Sequence, residues 1–580
     1  MSSDFVKVLT KDDRLLVSDK IAYAVNKGGQ NCTSSQFNAI SESTSSHTYN
    51  IQVPSEQTVI DRRVLWKSTC TLKLTVNAPA GETLLNYGLT DALGPFPLHS
   101  LCSVMTASIN NNSVSINIRD VLPALLRFND RRELQRYNGY CPVAYDTIAR
   151  YSDGLGSNLN ALGDFNNPSD NDLVPRGSWV LDAYGVSEAA LDAAPVALPL
   201  GTGAAQDIFV RFTSTEPLLL SPFIFADPQS NNQGIYGVQN MNFVFNIGSA
   251  NRVWRTANSY ITAASVQKFS NSQLIFNFLS PHPSDLMPSR NCVPYYEMPR
   301  YITTSQQTLT ALNAPAPQAA GATTLATSSL QLNQIPDKLI IMVRKPQQTN
   351  QDPDSFACIK GVSVNFNNQS GILSSATQQD LYRYSVENGS NQSWLEFSGA
   401  ANLADAVSGT GRRVATSGSL LVLQFGKDIQ LSEDYYASGS LGNFNLQVNL
   451  QCYNQGYVSI ANPEIVLITM NSGIFCCERG TSSIYTAILT KNDVLEASQQ
   501  TAHSNSSVKR LVGGGFLDSL KSVVGAVLPH VAKLGKEQLA QMDSPYAKAA
   551  SGVLGALGYG RAGAGSSGGM KQSKLADRLM

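Results

Sequence analysis

Residues 238–247 read Val-Gln-Asn-Met-Asn-Phe-Val-Phe-Asn-Ile, and residues 441–450 read Leu-Gly-Asn-Phe-Asn-Leu-Gln-Val-Asn-Leu. Laid one on the other, Asn240, Asn242 and Asn246 fall on Asn443, Asn445 and Asn449. Met241, Phe243, Phe245 and Ile247 fall on Phe444, Leu446, Val448 and Leu450. From Met241 and from Phe444 onward every second residue is apolar, the period of a strand with one buried face. A strand written twice in one chain points to a domain written twice.

Neighbouring stretches extend the repeat. Phe209-Val210-Arg211-Phe212 and then Leu218-Leu219-Leu220-Ser221 precede the first copy. Val422-Leu423-Gln424-Phe425 and then Ile429-Gln430-Leu431-Ser432 precede the second. Further back, Ala107-Ser108-Ile109-Asn110-Asn111-Asn112 parallels Val364-Asn365-Phe366-Asn367-Asn368-Gln369. A short helix is expected after each, over 120–128 and 375–387. Each half therefore reads strands, an Asn-rich turn, a short helix and more strands, with an insertion near 130–205 in the first half.

The chain of 580 residues is too long for one ordinary domain and suits two large β domains. We expect a polar arm over 1–50, one sandwich over 51–262, a second over 263–500 and a tail over 501–580. Short strands punctuated by turn signals run from Tyr49 to about Glu496, as in sandwiches. The Ala- and Pro-rich stretches 189–205 and 312–329 read as surface loops. Charged residues are 15% of the chain, well below the usual ~25%. Such a surface suits broad protein–protein contact, although a polar sandwich with neutral loops has the same composition.

The nine cysteines are odd in number and contain no Cys-x-x-Cys pair, which argues against a zinc site or a disulfide framework. Buried free thiols are expected. The N-terminus lacks a signal peptide's apolar core, and no apolar run reaches the ~20 residues of a membrane span. Synthesis in the cytosol is the expectation. The five histidines, His47, His99, His282, His503 and His530, stand apart from one another, and no phosphate loop, nucleophile elbow or metal motif occurs. No catalytic residue, cofactor or metal is assigned, and an enzyme is the weakest reading. Asp61-Arg62-Arg63 reads as a charged turn or strand edge.

Past Ser507 the composition changes. Residues 508–580 carry ten Lys/Arg against four Asp/Glu, a net +6, which leaves −7 for residues 1–507. Phe516, Leu520, Val523, Val524, Val527, Leu528, Val531 and Leu534 follow helical spacing with a kink at Pro529, and a flexible Gly-rich end follows. Lys521, Lys533, Lys536 and Lys548 are the candidate contacts to genomic DNA or to an anionic inner membrane. A helix that only guides assembly is the alternative. Leu511-Val512-Gly513-Gly514-Gly515 lies at the composition switch. It reads either as a protease site, because small glycines let an extended backbone enter a cleft, or as a hinge. Leu173-Val174-Pro175-Arg176-Gly177-Ser178 matches a thrombin recognition sequence, and we read it as a native loop ahead of a strand.

Three stretches carry a family resemblance. Gln52-Val53-Pro54-Ser55-Glu56-Gln57-Thr58-Val59-Ile60-Asp61-Arg62-Arg63 resembles the start of the first β domain in major capsid proteins of virophages and polinton-like viruses. Pro175-Arg176-Gly177-Ser178 resembles a Pro-Arg-Gly-small motif of that group. Asn367-Asn368-Gln369-Ser370-Gly371-Ile372-Leu373-Ser374-Ser375, with Asp380-Leu381-Tyr382, resembles its second-domain turn and helix. The likeness runs over about residues 20–500.

The resemblance implies an all-β double jelly roll, two tandem eight-stranded sandwiches with short helices and a C-terminal tail. It also implies a homotrimeric, pseudo-hexameric capsomer that tiles an icosahedral shell around double-stranded DNA. The implied partners are further copies of the chain, penton and minor capsid proteins, and a viral maturation protease, because Leu511–Gly515 resembles the Leu-x-Gly-Gly-x pattern of adenovirus-type proteases. The implied location is the virion. A spike or a glycan- or receptor-binding β protein is the alternative, since jelly rolls also bind sugars.

Overall fold

The computed structural model describes residues 31–128, 140–154, 176–194, 197–224, 234–280, 290–312, 321–346, 348–404, 411–431, 436–456 and 458–486. The first lobe is built from β1 (Asn31–Asn38), β2 (Ser46–Gln52), β3 (Leu65–Val76), β4 (Cys102–Ile109), β5 (Asn112–Ile116), β6 (Gln206–Pro217), β7 (Asn240–Ile247) and β8 (Ile261–Ser280). One sheet has the order β1-β8-β3-β6 and the other β2-β7-β4-β5. Consecutive strands therefore alternate in adjacent pairs between two facing sheets, which is jelly-roll topology. The cause is visible in β3, where Trp66, Cys70, Leu72, Leu74 and Val76 alternate inward.

The second lobe repeats this order. Its strands are β9 (Arg290–Glu297), β10 (Arg300–Thr304), β11 (Thr323–Ala326), β12 (Leu330–Gln334), β13 (Lys338–Arg344), β14 (Cys358–Phe366), β15 (Gln369–Ile372), β16 (Leu421–Gln424), β17 (Leu441–Tyr453) and β18 (Glu464–Glu478). A further strand, β19 (Thr481–Tyr485), pairs with the end of β18. Because the first two strands are each broken in two, the sheets run β9/β10-β18-β13-β16 and β11/β12-β17-β14-β15. Apart from two short edge strands of the first lobe, Ala183–Gly185 beside β6 and Ser41–Glu42 beside β2, this is the first lobe's order again. The sandwich closes on a core that includes Leu339, Ile341, Val364, Leu423, Leu446, Val448 and Leu467.

The turn after the fourth strand is the same in both lobes. Asn110 and Asn367 both adopt φ 51°, the left-handed region that asparagine tolerates. The Asn110 N–H donates to the Asn240 carbonyl, and the Asn367 N–H to the Asn445 carbonyl. Both side chains also hold the repeated strand, Asn110 accepting from the Gln239 N–H and Asn367, one position further along, from the Asn445 N–H. The backbone bonds fix the true alignment of the repeated strand. Met241 lies opposite Ile109, and Leu446 lies opposite Phe366. Met241 therefore corresponds to Leu446, not to Phe444 as the sequences suggest. A slip of two residues leaves every side chain on its own face, so hydrophobic pattern cannot detect it.

Helices α1 (Pro97–Leu101), α2 (Ile118–Phe128), α3 (Gln378–Glu387) and α4 (Trp394–Ser398) complete the lobes. The expected helices correspond to α2 and α3, while α1 and α4 were not foreseen. Capping boxes fix two starts, Thr377 with Asp380 for α3 and Ser393 with Glu396 for α4.

Several expectations need correction. Residues 31–50, assigned to an arm, supply β1 and most of β2, and β8 carries the first lobe on to Ser280, past 262. The stretch 312–329 is not simply a loop, because β11 lies within it. Within the insertion 130–205, Cys141, Tyr145, Asp146, Ile148, Tyr151 and Arg176 are buried. Cys292 and Cys476 are joined by a disulfide. Strand pairing between β9 and β18 brings them face to face, information that cysteine spacing does not carry.

Candidate functional site

The most concentrated charge chemistry lies at the junction of the lobes. Six side chains there are at most 5% exposed: Arg127, Asp146, Arg176, Arg252, Arg255 and Asp354. Arg127 ends α2, Asp146 and Arg176 belong to the insertion, and Arg252 and Arg255 flank Trp254 between β7 and β8. Asp354 comes from the second lobe, between β13 and β14. Asp146 Oδ1 accepts from Arg176 at 2.6 Å and from the Tyr151 hydroxyl at 2.9 Å. Its Oδ2 accepts the Asp354 backbone N–H at 2.7 Å. Asp354 in turn pairs with Arg252 at 2.8 Å and Arg255 at 3.2 Å.

Two carboxylates face four guanidiniums here, and backbone carbonyls offset the surplus. Arg127 donates to the carbonyls of Pro123, Asp146 and Asp354, and stacks on Tyr145 and Phe356 at 5.0 and 4.9 Å. Arg255 donates to the Asp352 carbonyl. Arg252 takes the Arg119 carbonyl, which Pro123, four residues on and without an N–H, leaves open inside α2. Burial alone would push both carboxyls up. For Asp146 the guanidiniums of Arg176 and Arg255 outweigh that and hold it below the usual range. Arg252 and Arg255 do the same for Asp354.

Further contacts extend the junction. Asp120 pairs with Arg300 and, at 2.7 Å, with Arg344, which also holds Glu464 at 2.9 Å. The insertion reaches the second lobe through Ala149 N–H to the Ala415 carbonyl and through Ser417 N–H to the Thr147 carbonyl. At the other end of the sandwich, Ser482 Oγ donates to the Ile109 carbonyl, and the Ser482 N–H donates to Asn111. Such an array has no nucleophile paired with a base. It fixes the orientation of one lobe on the other.

Among the described residues, no group of three or more His, Cys, Asp or Glu could hold a metal. His99 meets Glu216 at 2.6 Å in the first-lobe core, a pairing that their separation in sequence conceals. Both are fully buried, and α1 presents two backbone N–H groups to the same carboxylate. Arg62 is buried and donates to the Pro222 carbonyl, while Arg63 and Asp61 pair at the surface. Of the Leu173–Ser178 match, Arg176 and Gly177 are buried in the folded lobe, while Leu173, Val174 and Pro175 lie outside the described residues. Leu511, Val512, Gly513, Gly514 and Gly515, and the tail lysines Lys521, Lys533, Lys536 and Lys548, lie outside the described residues.

Sequence reading missed Asp146, Arg252, Arg255 and Asp354. The usable signal was Arg252-Val253-Trp254-Arg255, two arginines bracketing a tryptophan in a chain with few charges.

Comparison with known proteins places this geometry. Residues 3–279 match the family model of the Sputnik virophage major capsid protein first domain, and residues 298–473 match the major capsid protein V20 C-terminal domain. The chain belongs to the virophage major capsid protein family. It is 29% identical over 591 residues to capsid protein V20 of Sputnik virophage, covering 96% of this chain and 94% of that protein. The capsid structure of Sputnik virophage superposes with a TM-score of 0.72 at 27% identity, over 89% of this chain and 98% of the other. The mavirus major capsid protein shares the fold, with a TM-score of 0.68 at 15% identity, over 88% and 100% of the two chains.

As a virophage major capsid protein, the chain is a structural component of the virion and a double jelly roll. Its relatives are capsid proteins and not enzymes. Within the family reading, the buried charges belong to the device that makes two sandwiches one building block. No helix among the described residues is long and apolar enough to cross a membrane.

Proposed function

We propose that three copies of this capsid protein close into a pseudo-hexameric capsomer, and that capsomers tile an icosahedral shell around double-stranded DNA. The observation that carries the reading is the identical strand order of two lobes fixed to each other by a buried charge network. A unit with two like lobes in fixed orientation becomes a ring of six like lobes when a threefold axis repeats it. Permanent contacts of this kind typically bury more than ~2,000 Å². Light scattering on the purified chain is expected to give about three times the 62.3 kDa chain mass, with six-lobed particles in electron micrographs. A monomer at high concentration, without capsomers, would defeat the proposal.

The tail is proposed to face inward. Its +6 charge suits DNA phosphates or an anionic membrane, and the Leu511–Gly515 stretch suits a viral maturation protease. Penton and minor capsid proteins complete the proposed partners. Intact-mass measurement on mature particles is expected to find chains ending within 511–515. Full-length chains throughout would rule cleavage out.

A further inference from the structure

The repeat makes one face of each lobe comparable with the other. In the first lobe, α2 and the corner ahead of β7 press against the second lobe. Ten of the eleven residues of α2 are buried. In the second lobe, α3 holds the same place after the fifth strand, yet only Gln378, Leu381 and Ser385 of its ten residues are buried. Val386 on α3 and Leu395 on α4 are exposed apolar side chains on this flank.

The corner shows the same asymmetry. With Met241 matched to Leu446, Tyr236-Gly237 corresponds to Leu441-Gly442. Tyr236 covers the second lobe's first strand. Its hydroxyl donates to the Arg290 carbonyl, and its N–H donates to the Asn291 side chain. Asn291 also donates to the Gly234 carbonyl, and the Tyr296 N–H donates to Ser221 Oγ. The first strand of the second lobe is thus contacted by Ser221, Gly234 and Tyr236, which lie between β6 and β7. Leu441, by contrast, is 63% exposed.

The receiving surface is also present twice. β1 is to the first lobe what β9 is to the second, the outermost strand beside the last one. Among the described residues no strand pairs with its outer edge, and Cys32 on it is an exposed free thiol. An open edge of this length invites pairing with another chain.

We infer that the Leu441-Gly442 corner and the α3–α4 flank of one copy dock on β1 of a second copy, repeating between chains the contact that Tyr236-Gly237 makes with β9 within one chain. The inference rests on the trimer proposed above, and it names the surfaces that close it. The two patches differ, so the contact is head-to-tail, and three such contacts alternating with three internal junctions close a ring.

The test is Leu441→Asp, with Val180→Asp as a control on another exposed apolar side chain. Leu441 is outside the core, so the fold of the variant is retained. Oligomeric mass is measured by light scattering, and maleimide labelling of Cys32 is followed by mass spectrometry. Cys32 is a clean probe because the other free cysteines are buried. In the unaltered trimer, Cys32 is expected to react at least tenfold more slowly than in a short peptide. Leu441→Asp is expected to weaken the trimer at least tenfold and to release Cys32 to fast labelling, while Val180→Asp changes neither. Trimers that survive Leu441→Asp with Cys32 reactive would overturn the assigned surfaces and leave the trimer standing. Cys32 still protected in a dissociated variant would mean that the chain covers its own β1 edge, which also overturns the inference. An unaltered chain that is monomeric with Cys32 reactive would remove the trimer itself.

Discussion

Asp354→Ala is expected to lower the unfolding free energy by about 3–5 kcal/mol, the usual cost of removing one partner from a buried ion pair. The loss does not measure what the pair contributes. Buried ion pairs are often no better than apolar packing of the same volume, because desolvation consumes the Coulombic gain. The cost arises because Arg252 and Arg255 stay buried after their carboxylate has gone. Asp354→Asn keeps part of the hydrogen bonding and should cost less than alanine, yet remain clearly destabilising. Denaturant unfolding checks both variants, and a change under 1 kcal/mol for alanine would contradict this account of the junction. A second signature is expected in the shape of the transition. Asp354 is one of several links between the lobes, beside Asp120 with Arg344 and Ser482 with Asn111, so its loss should broaden the transition by weakening the coupling between them.

Acid should act on the same joint. Asp146 and Asp354 are both held below the ordinary carboxylate range in the folded chain. A depressed folded pKa means that the unfolded chain binds protons first as pH falls. The stability from these groups is therefore complete above the unfolded value of about 3.9 and is lost as pH falls below it towards the folded pKa values. Particles or capsomers should hold this junction through mild acid and loosen it only below about pH 4. Asp354→Asn should flatten that part of the stability profile.

The repeat was readable because a strand with one buried face writes its period into the sequence. The same period hid the register. Met241 could be set on Phe444 or on Leu446 without moving a side chain to the other face, and the alternating asparagines favoured the wrong choice. Strand β1, Asn-Cys-Thr-Ser-Ser-Gln-Phe-Asn, was lost for a related reason. It is an edge strand with little to bury, so its pattern resembles a polar arm. The junction was invisible for another reason. Arg127, Asp146, Arg176, Arg252 and Asp354 are dispersed along the chain, and only the crossing of the insertion onto the second lobe assembles them. Arg176 was noted for its motif, but its partner Asp146 lies in a stretch read only as an insertion.

Glu216→Ala is expected to be at least as damaging as the junction variant, and through the first lobe alone. Glu216 is fully buried and accepts from four donors: the N–H groups of Leu98 and His99 at 2.7 and 3.0 Å, His99 Nδ1 at 2.6 Å and Ser214 Oγ at 2.8 Å. The Leu219 N–H donates to His99 Nε2, so that nitrogen accepts and the ring proton sits on Nδ1, aimed at Glu216. Alanine strands all four donors in the core, at about 1–3 kcal/mol for each one left without a partner. The loss should exceed about 4 kcal/mol, the level at which single substitutions become exceptional. Glutamine makes the diagnosis specific. It matches glutamate in size, yet its amide replaces one acceptor oxygen with a donor. Every group facing that position also donates, and the imidazole cannot turn its proton outward without meeting the Leu219 N–H. Glu216→Gln should therefore recover only part of the lost stability. A glutamine variant as stable as the unaltered chain would show that volume, not acceptor capacity, is what the core requires at this position.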